Sequence, residues 1–242
     1  MNKKQYFLIV DTETTQNNLV ADFGAVIVDR KGKIITQCAV MVDGIFTDSE
    51  NNPLFFDSRA DGSALWSRSS ADKRYRAYTQ MVANGSRMIA SVAAINRWLE
   101  RANTEYSPIL TAYNLSFDLG KCENTGIDLR QFEQSFCLWA AAFSAYAHTR
   151  GFRQLVLDTH AFNSPTTQGN MSFKTNAETM TRYVLNNPNL ADEPHTALED
   201  AIDYELPILA KLLRSYTTRW LLDDSQAYDW RKVQVKDWFR PA

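Results

Sequence analysis

Tyr6-Phe-Leu-Ile-Val-Asp-Thr-Glu-Thr-Thr15 begins with five apolar, strand-forming residues and then presents two carboxylates. An unbroken apolar run of this kind reads as a strand buried on both faces. Asp11 and Glu13 lie two apart at its end. Strand side chains alternate, so both acids point to one side. Taken alone, such a pair reads better as two solvated acids in a turn.

Working outward, Phe23–Val28 and Ile34–Val42 are two further strands, and Asp29-Arg-Lys-Gly32 between them is a hairpin-type turn. A three-stranded antiparallel meander therefore opens the fold. From 43 to about 67 the chain turns to Asn, Asp, Ser, Gly and Pro, which is loop chemistry and marks an insertion reaching to 90. Residues 70–82 suit a surface helix. Met88–Arg101 places Ile89, Val92, Ala93, Ile95, Trp98 and Leu99 at helical spacing, so an amphipathic helix is expected. Ile109–Tyr113 reads as a strand, Ser116 to about Asn124 as a helix, Phe136–Ala147 as a buried helix and Leu155–Asp158 as a short strand. Helices follow over Asn176–Leu185 and from Ala197 to about Arg214, where Pro207 should cost a hydrogen bond and bend the chain. The order implies an α/β fold: a mixed sheet, the meander plus parallel strands, flanked by helices. One domain is expected over 1–220, with the insertion at 43–90 and a C-terminal tail at 221–242.

At 242 residues the chain can bury a substantial core without disulfides. Cys38, Cys122 and Cys137 are odd in number and lack CxxC spacing, which argues against a disulfide framework or zinc ribbon and for a reducing compartment. No apolar run reaches membrane-spanning length and no signal pattern precedes the first strand, so a cytoplasmic protein with no membrane contact is expected. The net charge of −2 supplies no global basic field, which argues against tight non-specific duplex binding. A local basic track, or bound cations, would have to attract a polyanion.

Two other motifs carry chemistry. In Asn114-Leu-Ser-Phe-Asp118, Asn114 can cap the following helix and set Asp118 in its opening turns. In His195-Thr-Ala-Leu-Glu-Asp200, Thr196 and Glu199 match a capping box, which gives Glu199 a structural task. His195 and Asp200 then take the two positions where a hydrophobic staple normally meets. On one continuous helix they would diverge by about 140°. Outside it, His195 can fold back toward Asp200. The three motifs supply four carboxylates and one histidine. Such acids crowd together only around positive charge, most simply a pair of hard divalent cations bound through oxygen. Two metals in a carboxylate cage with a histidine at its edge suit phosphodiester cleavage.

These residues resemble the DEDDh family of 3′–5′ exonucleases, which includes the proofreading subunit of the bacterial replicative polymerase, oligoribonuclease and ribonuclease T. The DxE motif is matched by Asp11-Thr12-Glu13, N-x-x-F-D by Asn114 to Asp118, and H-x-A-x-x-D-A by His195 to Ala201. Thr196 stands where the sister subgroup has tyrosine, which indicates the histidine branch. Gln16 replaces a frequent glycine, Tyr113 a frequent histidine, and the 43–90 connection is long.

The resemblance implies a ribonuclease H-like fold, with Asp11, Glu13, Asp118 and Asp200 holding two Mg²⁺ (or Mn²⁺) ions. It implies His195 as a neutral general base and 5′-mononucleotide products. Thr12, Thr14, Thr15, Asn114 and Phe117 are the candidates to contact the terminal nucleotide, with a core role for Phe117 as the alternative. The expected partners are 3′ ends of single-stranded DNA or RNA, DNA ahead of RNA, although no motif names a contact to the 2′-OH. The rival readings are a non-catalytic nucleic-acid-binding module on the same fold and a phosphohydrolase of small phosphate esters. Arg68, Lys73, Arg74 and Arg76, with Tyr75 and Tyr78 among them, could track a strand, but a solvated helix face is expected. Trp230, Trp238 and Phe239 in the tail should dock on the body ahead of any protein partner. His148 and His160 should be structural.

Overall fold

A computed structural model describes residues 4–55, 68–223 and 226–235. Residues 56–67 of the expected loop, Trp238 and Phe239, and the side chains of Arg68 and Trp230 lie outside the described residues. The fold is α/β, with a six-stranded mixed sheet in the order β4-β3-β2-β1-β5-β6. β1 (Tyr6–Thr14), β2 (Val20–Asp29) and β3 (Ile34–Val42) form the antiparallel meander. β4 (Met88–Ala90) runs parallel to β3 at one edge. β5 (Ile109–Ala112) runs parallel to β1, and β6 (Ser135–Cys137) parallel to β5. At the β2–β3 turn the Asp29 carboxylate accepts the amides of Lys31 (2.8 Å) and Lys33 (3.0 Å), and Gly32 takes the left-handed φ of +80° that a side chain would resist.

Alternation along β1 divides the core in two. Phe7 and Ile9, with Val26 and Val28 opposite them, face α4 (Leu138–Ala142), α5 (Arg150–Thr159), α6 (Ala177–Val184) and α8 (Leu206–Ser215). Leu8 and Val10 face α2 (Val92–Tyr106) and α3 (Leu115–Thr125). Each such side chain contributes about 1.5–3 kcal/mol by leaving water. α1 (Arg68–Ala83) packs through Tyr78 against Ala21, Met41 and Leu54.

Several local expectations are corrected. Met88 and Ile89 are not the start of a helix. They form an exposed edge strand, and α2 begins only after Ser91, whose hydroxyl accepts the Ala94 amide (3.3 Å). Phe136 lies in β6, so the buried helix begins at Leu138; it runs on as a π-helical segment, Phe143–Ala147. Leu155–Asp158 is the interior of α5, which Thr149 caps through the Phe152 amide (3.2 Å). The last long helix opens as α7 (Ala197–Glu199), becomes π-helical over Asp200–Glu205 and resumes as α8 with Pro207 in its first turn. Proline has no N–H to give, and the π segment shifts the hydrogen-bond register just ahead of it.

The chain ends with α9 (Thr218–Leu221) and a 3₁₀ turn, Trp230–Val233. Val233 is buried, its carbonyl accepts the Phe173 amide (3.0 Å), and the Tyr228 ring lies 4.4 Å from that of Trp139. Among the described residues no helix is long and apolar enough to cross a membrane.

Candidate active site

β1 carries Asp11 and Glu13 past the end of its neighbour, since its pairing with β5 stops at Ile9 opposite Thr111. Across β2, Asp11 faces Gly24 and Glu13 faces Asp22. Partners opposite each other share a face of the sheet. α7 lands on that face. A Cβ at Gly24 would come within 2.3 Å of the Ala197 carbonyl carbon and 2.4 Å of the Leu198 nitrogen. The bare glycine lets the third motif lie directly on the strand beside Asp11. No motif flags it, and sequence reading missed it.

The anchoring of that motif also differs from the expectation. The Thr196 hydroxyl does not cap α7. The cap is Asp22, 175 residues upstream, whose carboxylate accepts the Ala197 amide (3.0 Å). The other Asp22 oxygen accepts Arg87 Nε (3.0 Å), and the same guanidinium holds Glu199, with Nη1 3.1 Å from Oε1. Asp22 and Arg87 are both fully buried. Arg74 donates to the carbonyls of Pro194 and His195 (3.2 Å to the latter), and the Tyr78 hydroxyl donates to that of His195 (3.4 Å). Arg74 and Tyr78 thus hold the third motif and are not part of a solvated face, whereas Lys73 and Arg76 are exposed. His195 takes a left-handed φ of +55° in this grip.

Asp118 arrives from the other side of the sheet in the first turn of α3, where its Oδ1 accepts the Thr12 hydroxyl (2.8 Å). Asn114 does not cap that helix with its side chain. It adopts φ +76° and its Oδ1 accepts the Ser116 hydroxyl (3.2 Å). Asp200 opens the π segment, and its Oδ1 is buried without a hydrogen-bond partner among the described residues. Glu13, His195 and Asp200 each bring one ligand-type atom within 4.8 Å of the others. His195 Nδ1 is 3.9 Å from Glu13 Oε1, a contact too long for a hydrogen bond.

The four acids form one electrostatic group. Burial raises the Asp11 carboxyl well above its usual range, and Glu205, Asp118, Asp200 and Glu13 push it further. Glu13 is raised to about 8 by burial and by Asp22 opposite, with Arg74 opposing. Asp118 is raised to about 7 by burial, against the Thr12 hydrogen bond. Asp200 reaches about 9 through burial, Glu13 and Glu193. His195 is lowered to about 4 by burial and by Arg74, which keeps its imidazole neutral.

Glu205, at the far end of the π segment, was not anticipated. It is 2% exposed, Oε1 accepts the Tyr113 amide (3.2 Å), and Oε2 has no hydrogen-bond partner among the described residues. Burial, then Asp118, raises its carboxyl well above the usual range. The only sequence signal was its five-residue spacing from Asp200, with Pro207 just beyond to force the change of register.

The candidate substrate contacts divide. The Thr12 hydroxyl is spent on Asp118, and that of Thr15 accepts the Leu19 amide (3.2 Å). Thr14 is buried, and its carbonyl accepts the Phe55 amide (2.9 Å). Phe117 is not a core residue: it is 43% exposed, with Lys121 Nζ 4.7 Å from the ring centre. Asn114 lines a cavity of about 420 Å³ with Tyr113, Trp139, Lys174, Asn176 and Tyr228. No protein-family model matches the chain, and no curated protein matches it.

Proposed function

We propose that the chain is a metal-dependent 3′–5′ exonuclease on a ribonuclease H-like fold, acting on single-stranded nucleic acid. The observation that carries this reading is the grouping of Glu13, Asp200 and His195, each with a ligand-type atom within 4.8 Å of the others, with Asp11 and Asp118 close enough to repel the same carboxyls. The donor set fits hard divalent cations: several carboxylates, one of them with a bare buried oxygen at Asp200. Asp11, Glu13, Asp118 and Asp200 would hold them. Bound there, such ions supply an acidified water and neutralise charge on the phosphodiester.

The chain's own residues account for the rest. His195 is neutral and lies at the edge of the group, so it can take the proton of the attacking water. Arg74 and Tyr78 hold its backbone carbonyl. The exposed Phe117–Lys121 pair and the aromatic cavity beside Asn114 suit a base and its backbone phosphate, which favours a strand over a small phosphate ester. The expected products are 5′-mononucleotides.

The test is a degradation panel of single- and double-stranded DNA and RNA, labelled at the 5′ end, with Mg²⁺ or EDTA. Single strands should shorten from the 3′ end with Mg²⁺ only, and Asp200→Ala should abolish this. Undiminished degradation in EDTA, or by Asp200→Ala, would overturn the proposal.

A further inference from the structure

Asp200 and Glu205 bracket the π segment. Five positions apart on an α-helix, they would diverge by about 140°. The i→i+5 bonding of a π turn brings such positions back toward one side. The change of register thus turns Glu205 to the side of the helix that carries Asp200.

The place it reaches is closed. Through the Tyr113 amide, Glu205 ties the third-motif helix to the strand end that leads into α3 and Asp118. Its second oxygen is buried and bare among the described residues. Its strongest charge neighbour is Asp118, and it is in turn the strongest charge neighbour of Asp11. If Glu205 served only to accept the Tyr113 amide, glutamine would do so with no repulsion from either acid. A buried oxygen left without a partner is costly, which points to a partner that is not part of the chain.

We propose that Glu205 is a fifth acidic member of the cation site, a positioning residue whose bare oxygen accepts a hydrogen bond from the ions' water shell and whose charge strengthens cation binding. This rests on the cation site of the exonuclease reading and adds to it a residue outside the three motifs.

The test is Mn²⁺ binding to the full chain, followed by electron paramagnetic resonance of the free ion. Glu205→Gln keeps the shape and the acceptor for Tyr113 while removing the charge. Its Mn²⁺ affinity should fall about 10- to 100-fold, as for loss of a partner just outside the ligands. Its metal-free melting temperature should hold or rise. Asp203→Asn, an equal charge change at an exposed position of the same segment, should bind as the wild type does. Glu205→Asp, one methylene shorter but still charged, should fall between wild type and Glu205→Gln. Wild-type affinity in Glu205→Gln would overturn the proposal and leave the cation site standing. Glu205→Asp binding as weakly as Glu205→Gln, both melting lower, would reduce the residue to a structural tether. A wild-type chain that takes up no Mn²⁺ would overturn the site as well.

Discussion

Two sets of buried acids lie within a short reach of one another around β1 and β2, and the fold treats them oppositely. Asp22 is fully buried and fully served: Arg87 and the Ala197 amide take its two oxygens, and Arg87 also holds Glu199. Asp118, Asp200 and Glu205 are buried almost as deeply, yet Asp200 and Glu205 each keep an oxygen with no hydrogen-bond partner among the described residues, Asp118 is held by the neutral Thr12 hydroxyl, and the charges that act most on Asp200 and Glu205 are other carboxylates. The first set contains its own cation and fixes a helix. On the proposed reading, the second set takes its cation from solution. Scaffold and chemistry are thus told apart by whether positive charge is covalently supplied.

That contrast can be broken at several points. The largest effect should come from the second set. Asp118→Asn should lower Mg²⁺-dependent degradation by about 10³-fold or more, as for loss of a group acting in a unit, while the metal-free chain melts no lower than wild type. A matching loss of stability would mean that Asp118 is already satisfied without metal.

Arg87→Met should do the reverse and cost about 3–5 kcal/mol in denaturant unfolding, because it strands a buried carboxylate. Gly24→Ala should cost about 1–3 kcal/mol by overpacking, with a disproportionate loss of activity, since the added carbon strikes the backbone that delivers His195 and Asp200. Full activity in the Gly24→Ala chain would show that α7 is free to move off the sheet.

The contrast also predicts a pH slope. In EDTA the folded-state values of Asp118, Glu13 and Asp200 lie at about 7, 8 and 9, above those of an unfolded chain, about 4. The folded chain therefore holds extra protons between these limits. The stability they confer is complete below about pH 4 and is lost as pH rises through the folded values. The melting temperature in EDTA should fall across this range, and saturating Mg²⁺ should flatten the slope. A flat profile in EDTA would remove the burial and repulsion of these acids on which the contrast depends.

Much of this could be read in the sequence, because the signals were local. The apolar run before Asp11 and the Asp29–Gly32 turn dictate the meander. Asn176 announces α6 by capping it through the Thr179 amide (3.3 Å). Where short apolar runs carried the reading, it failed: Met88-Ile89 continues the periodicity of α2 but belongs to a strand, and Leu155–Asp158 looks like a strand inside a helix. The three site motifs could be read as motifs, but not what holds them. Asp22 displaces Thr196 as the cap from the far end of the chain, Gly24 matters only for what lands on it, and Glu205 reaches the site only through a π turn.

The most direct measurement is calorimetric titration of the wild-type chain and Asp11→Asn with Mn²⁺ at neutral pH. Saturable uptake of two ions by the wild type, lost or sharply weakened in Asp11→Asn, is the predicted result. No uptake by the wild type, or equal uptake by both chains, would contradict the account.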